Sequence, residues 1–224
     1  MSLNRYSIVA LLSGALGAPV HGAIISEYNL SALTTTAPAT VAATTSNGVT
    51  SAPLSRGAGI NAAGLTRGFS ADSFSTTGAS VADAISENEY FEWGFTVDTG
   101  AKVSLTSMDF SLRRSAQNGP SNYEVQVSLD GFATPGTTVA TFNYLGRNSG
   151  TAPAVVTPFQ WMTTDTPGQG EGNLIAPIVL SSVPSLQLLS EGDNVTFRLY
   201  AWGNLSGAAA SNTVAIGRQN ATNG

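Results

Sequence analysis

The side chains that most enzyme chemistry needs are scarce in this chain. Its 224 residues include a single histidine, His21, and no cysteine. His21 falls in a segment read below as a secretory leader, so the mature chain is expected to carry neither imidazole nor thiol. That removes Ser-His-Asp and Cys-His nucleophilic catalysis, and with them the His/Cys sites usual for zinc or iron. Carboxylates remain. A glycosidase uses two of them flanking the bond, about 5–5.5 or 6.5–9.5 Å apart. The candidates are Glu89 and Glu92, on the solvent side near one strand, and Glu124 on a neighbouring run. A surface of polar strands carries such residues for solubility anyway, so the chain is expected not to be an enzyme and to have no catalytic residues.

Metal and ligand sites are equally sparse. There is no Asp-x-Asp-x-Asp loop, and Asp130 and Asp193 stand beside glycines as turn formers. No cofactor is expected; a structural calcium held by backbone carbonyls is the one metal the composition leaves open. Tyr90, Trp161, Tyr200 and Trp202 are the candidate ligand-binding residues, as rings that would stack on sugars. Their competing role is packing against a second sheet or a neighbouring surface segment. Arg113-Arg114 precedes a turn, with one guanidinium expected to snorkel and the other to be solvated.

The elements that must position these residues are strands. In residues 90–98, Phe91, Trp93, Phe95 and Val97 alternate with Tyr90, Glu92, Gly94 and Thr96, the period of a half-buried strand. Asp98-Thr99-Gly100 turns the chain. From Lys102 to Arg114 the apolar phase slips by one residue, Val103 and Leu105 giving way to Met108, Phe110 and Leu112. A β-bulge at Thr106–Ser107 accounts for the slip, and two short strands with a kink are the alternative. Tyr123, Val125, Val127 and Leu129 resume the alternation, and Asp130-Gly131 is a hairpin dipeptide in which both residues take positive φ. The three runs are expected to form an antiparallel meander with one wet face.

Elsewhere, residues 1–23 read as a signal peptide: Arg5, an apolar run from Ile8 to Leu16, Pro19, then a cleavage site at Val20–Ala23. Residues 24–224 are expected to form one domain. Within it, Ala23–Leu30 is a first strand, 31–52 a Thr/Ala-rich surface excursion with little regular structure, and 218–224 a disordered tail. Ser80 to Asn88 is the helical candidate, capped by Ser80 with Asp83 in the capping-box position. Later strands are placed at Thr138–Leu145, Phe159–Met162, Leu174–Leu180 (broken by Pro177), Asn194–Trp202 and Thr213–Ile216, with Val183–Leu189 ambiguous. Short strands separated by turns predict an all-β fold: an antiparallel two-sheet sandwich, jelly-roll-like, with one short helix. Charged residues make up only 10%, against about 25% in typical globular domains. The net charge of -5 argues against a nucleic-acid or anionic-membrane partner, and no transmembrane segment is expected once the leader is cleaved.

One ordered series goes beyond fold class. Tyr90-Phe-Glu-Trp-Gly-Phe, the Gly100 turn, Leu112-Arg-Arg-Ser, Asn118-Gly-Pro, Val127-Ser-Leu-Asp-Gly-Phe132 and Asn194-Val-Thr-Phe-Arg-Leu-Tyr-Ala-Trp202 occur in that order. In this series, spanning most of Ile24 to Gly217, the chain resembles secreted bacterial proteins that end in a PEP-CTERM sorting tag. The resemblance implies export and association with exopolysaccharide or the outer cell surface. It brings no functional residues, and the Pro-Glu-Pro motif, apolar helix and basic tail of such proteins are not found before Gly224. The expected function is therefore non-catalytic: a secreted, cell-surface or matrix protein with a structural or adhesive role. Its partners would be extracellular polysaccharide or other envelope proteins. A carbohydrate-binding module using exposed aromatics is the alternative, and a glycan-active enzyme using a carboxylate pair comes third.

Overall fold

The computed structural model describes residues 23–75, 77–114, 119–143, 173–203 and 213–217. The leader (apart from Ala23), the Phe159–Met162 strand with Trp161, and the 218–224 tail lie outside them.

A nested set of antiparallel pairs organises the chain. β5 (Gly68–Asp72) pairs with the last strand, β16 (Val214–Gly217), and β6 (Tyr90–Val97) pairs with β15 (Asn194–Trp202). Three short strands follow β6: β7 (Lys102–Val103), β8 (Ser107–Met108) and β9 (Ser111–Arg114). They pair in turn with β14 (Leu189–Ser190), β13 (Ile178–Val179) and β12 (Asn173–Leu174). Innermost, β10 (Asn122–Ser128) pairs with β11 (Thr137–Asn143). A long ribbon paired in this way and wound on itself is a jelly roll, with its strands alternating between two sheets. The front sheet has the order β11-β10-β15-β6-β3, where β3 is Val49–Arg56. The back sheet is β12-β9-β16-β5-β4, where β4 is Asn61–Ala63. Both are antiparallel, and the fold is the expected all-β sandwich with one short α-helix.

The core lies between the sheets. Every inward residue of β6 (Phe91, Trp93, Phe95, Val97) and of β15 (Val195, Phe197, Leu199, Ala201) is buried. Aromatic pairs bridge the sheets: Phe69 meets Phe91 edge-on at 6.0 Å, and Trp93 meets Phe110 at 6.1 Å while stacking on Phe197 at 5.9 Å. Such pairs contribute about 0.5–1.5 kcal/mol each beyond area burial.

The helix forms as its capping signal predicts. α1 spans Val81–Ser86, the Ser80 hydroxyl accepts from the Asp83 amide, and an Asp83 carboxylate oxygen accepts from the Ser80 amide at 3.0 Å. Asn88, at φ 59, turns the chain into β6. The phase slip also lies where expected, since Leu105 and Met108 are both buried on either side of Thr106–Ser107. The Thr106 carbonyl accepts from both Leu180 and Ser181, so any doubling there lies on the partner segment. The run is nevertheless divided into three short strands, and Pro177 divides its partner between β12 and β13.

Several expectations fail, and for related reasons. The runs 90–98, 102–114 and 123–129 form no meander. β15 separates β6 from β10, and β9 lies in the back sheet. Alternation reports that one face of a strand is buried but says nothing about which strand lies beside it. Asp130-Gly131 is not a two-residue hairpin, because the positive φ values fall one position later, at Gly131 (68°) and Phe132 (65°). Asp130 instead uses its carboxylate to hold the loop, accepting from the Ser128 hydroxyl at 2.6 Å and the Thr134 hydroxyl at 2.6 Å. The 31–52 excursion contains β2 (Thr45–Ser46), which pairs with β1 (Ser26–Glu27), and ends in β3. β3 is an edge strand with a register shift at Pro53, so it lacks the apolar run that would mark a central strand. β1 covers only two residues of the expected Ala23–Leu30 strand. Arg113 and Arg114 are both 2% exposed, and neither is solvated. The Arg114 guanidinium donates to the Gly119 carbonyl through Nε at 3.0 Å, which satisfies charge inside the fold.

Candidate functional site

β15 is central in the front sheet, and its outward residues Thr196, Arg198, Tyr200 and Trp202 mark the middle of that sheet's outer face. Register places Arg198 between Glu92 of β6 and Gln126 of β10. Tyr200 lies between Tyr90 and Glu124 in the next row. Residues far apart in sequence are therefore joined in a single array.

Arg198 is its centre. Its Nε donates to Glu92 Oε2 at 2.7 Å, and its Nη1 lies 3.5 Å from the Tyr200 hydroxyl. The guanidinium carbon sits 4.1 Å from the centroid of the Tyr90 ring and 4.1 Å from that of Phe132. Two aromatic rings thus flank the cation, an arrangement worth about 0.5–1 kcal/mol per ring at a partly exposed site. Tyr90 in turn meets Tyr200 edge-on at 5.5 Å. Burial alone would lower the Arg198 pKa, but its hydrogen bonds to Tyr200 and Glu92 and the neighbouring tyrosines outweigh it, so the net shift is upward. Burial raises the Tyr90 and Tyr200 pKa values, opposed in both by the Arg198 charge.

Phe132 reaches this position only through an unusual backbone. A phenylalanine at φ 65 is strained, and its amide is held by the Ser128 hydroxyl at 2.8 Å. The ring lies so close over Gly136 that a Cβ there would stand 2.5 Å from Phe132 Cε1.

The carboxylates behave differently from one another. Glu124 is buried and accepts from Gln126 at 2.6 Å, Thr138 at 2.9 Å and Thr141 at 3.3 Å. Glu92 is paired with Arg198. The backbones of these two acids lie about 10 Å or more apart, because β15 runs between their strands. Glu89 is not on the solvent face as expected. It is 3% exposed, behind the start of β6, where it accepts from the Ser75 amide. Burial, with a smaller contribution from the Glu87 charge, pushes its pKa up to about 7 against the pull of that amide.

Of the expected ligand-binding residues, Tyr90 and Trp202 are half-buried on this face, whereas Tyr200 is only 1% exposed beneath it. Trp161 lies outside the described residues. The sequence reading missed Arg198 and Phe132: Arg198 reads as one polar residue in an alternating strand, and Phe132 as the restart of an apolar pattern. The one signal available was Asp130-Gly131 after a strand, which marks a turn with positive φ immediately before Phe132.

No group of three or more potential metal ligands occurs among the described residues, and no helix there is long and apolar enough to cross a membrane. No family model, curated protein or solved structure matches the chain.

Proposed function

We propose that this protein is a non-catalytic secreted or cell-surface protein of the extracellular matrix, with a structural or adhesive role. The observation that carries this reading is that each front-face carboxylate already has a partner within the fold. Glu92 is committed to Arg198, and Glu124 to Gln126, Thr138 and Thr141, on strands that β15 holds apart. Acids held by the fold in this way support a non-catalytic reading. The resemblance to PEP-CTERM proteins supports export and contact with exopolysaccharide. Fractionating the native host and weighing the protein in each fraction tests the proposal. A chain processed near Ala23 in the medium or envelope supports it, and an unprocessed cytosolic chain overturns it.

A second reading, a carbohydrate-binding module, is favoured by the half-buried Tyr90 and Trp202 on the same outer face, the first opposite Tyr200 on β6 and the second two residues further along β15. Binding to a glycan array that Trp202→Ala abolishes would place this reading ahead of a purely structural role.

A further inference from the structure

The Arg198 cluster gains little net stability from its order. A partly exposed ion pair contributes about 0–1 kcal/mol and the two ring contacts about 0.5–1 kcal/mol each, whereas a non-glycine residue in the left-handed region costs on the order of 1–3 kcal/mol. The fold nevertheless holds Phe132 at φ 65 and leaves the space above Gly136 free for its ring, and the result is a second wall against the guanidinium. Such rigidity fixes the plane of the guanidinium and leaves its edge to make contacts.

That edge is only partly used. Nε serves Glu92 and Nη1 approaches Tyr200, while Nη2 has no hydrogen-bond partner among the described residues. Glu92 accepts through Oε2, and its Oε1 has no partner there either. The two side chains remain 19% and 31% exposed. Within one bonded pair, a donor nitrogen and an acceptor oxygen are therefore left over beside the Tyr90 and Phe132 rings.

We propose that Arg198 and Glu92 are the polar centre of a sugar-binding site that takes a neutral sugar ring through a vicinal diol. One hydroxyl accepts from Arg198 Nη2 while its neighbour donates to Glu92 Oε1, and the exposed margins of Tyr90 and Phe132 meet the apolar face of the ring. A hydroxyl is both donor and acceptor, so a diol satisfies both free groups at once. The ion pair has no net charge and the chain carries -5, which disfavours a uronate or other anionic ligand. This inference rests on the carbohydrate-binding reading and assigns it a ligand class and a centre.

The test is titration of the full chain against neutral gluco-, galacto- and manno-configured oligosaccharides and against uronate-containing ones. Wild type, Arg198→Lys, Glu92→Gln and Trp202→Ala are compared, with thermal melts confirming that each folds. Glu92→Gln keeps its shape and remains a fair test should Arg198→Lys fold poorly. The expected result is that wild type binds a neutral glycan and that both centre variants lose about tenfold or more in affinity, the loss of one well-placed charge-assisted hydrogen bond. Binding that survives both substitutions but falls in Trp202→Ala overturns the assigned centre and keeps the binding reading. Preference for the uronate glycans overturns the neutral class. No binding to any of them overturns the inference and the carbohydrate-binding reading together.

Discussion

On the inner face of β15, Val195, Phe197, Leu199 and Ala201 are buried against the back sheet, and any similar set of apolar side chains would serve. On the outer face of the same strand, Arg198 and Tyr200 belong to an array in which each partner has a defined distance and orientation. The inner face derives its stability from area, which is non-directional. The outer face adds little net stability, because its charges are paired near solvent. The two faces of one strand thus differ in kind, one held by non-directional area and the other by directed contacts.

Substitutions separate the two faces, and the largest effect is expected inside. Phe197→Ala removes the ring stacked on Trp93 and should cost about 3–5 kcal/mol, seen as a large drop in the denaturant midpoint. A loss under 1 kcal/mol would mean that the core is far looser than its packing implies. Next comes Glu89, buried yet outside the main core. Folding raises its pKa from the ordinary 4.5 to about 7, so the native state holds an extra proton between those values. Stability should therefore fall as pH climbs through that window, by on the order of 1–2 kcal/mol once solvent screening is allowed for. Glu89→Gln should flatten the slope and make the protein the more stable form at pH 8; an unchanged slope in urea melts from pH 5 to pH 8 would disprove this assignment.

Arg198→Ala should cost about 1–2 kcal/mol, far less than Phe197→Ala, despite removing the most connected side chain on the outer face. If it instead unfolds the protein as Phe197→Ala does, the contrast between the faces fails, and the cluster is part of the structural frame. Smaller still is the cap. Ser80→Ala leaves the Asp83 amide without its acceptor and should cost about 1 kcal/mol, read as a modest lowering of Tm.

The legible parts of this fold were those coded locally. The buried face of β6 and of β15, the Ser80–Asp83 cap, the slip at Thr106–Ser107 and the break at Pro177 all follow from side chains within a few positions of one another. The obscure parts involved distant residues. β3 was hidden because an edge strand with one buried flank and a proline lacks the apolar run of a central one. Arg113 and Arg114 looked like surface residues because nothing nearby in sequence announces the Gly119 carbonyl that accepts from Arg114.

The candidate site divides in the same way. Sequence alone determined that Glu92 and Tyr90 face away from the core, that Arg198, Tyr200 and Trp202 do so as well, and that histidine and cysteine are confined to one position and none. Those conclusions need only the two-residue period and a count. The tertiary structure decided that the face of β6 and the face of β15 are one surface, because strand order is set by the winding of the whole ribbon. It also brought Phe132 across from the β10–β11 loop to close over Arg198, a contact that depends on a left-handed backbone at one residue and a missing side chain at Gly136.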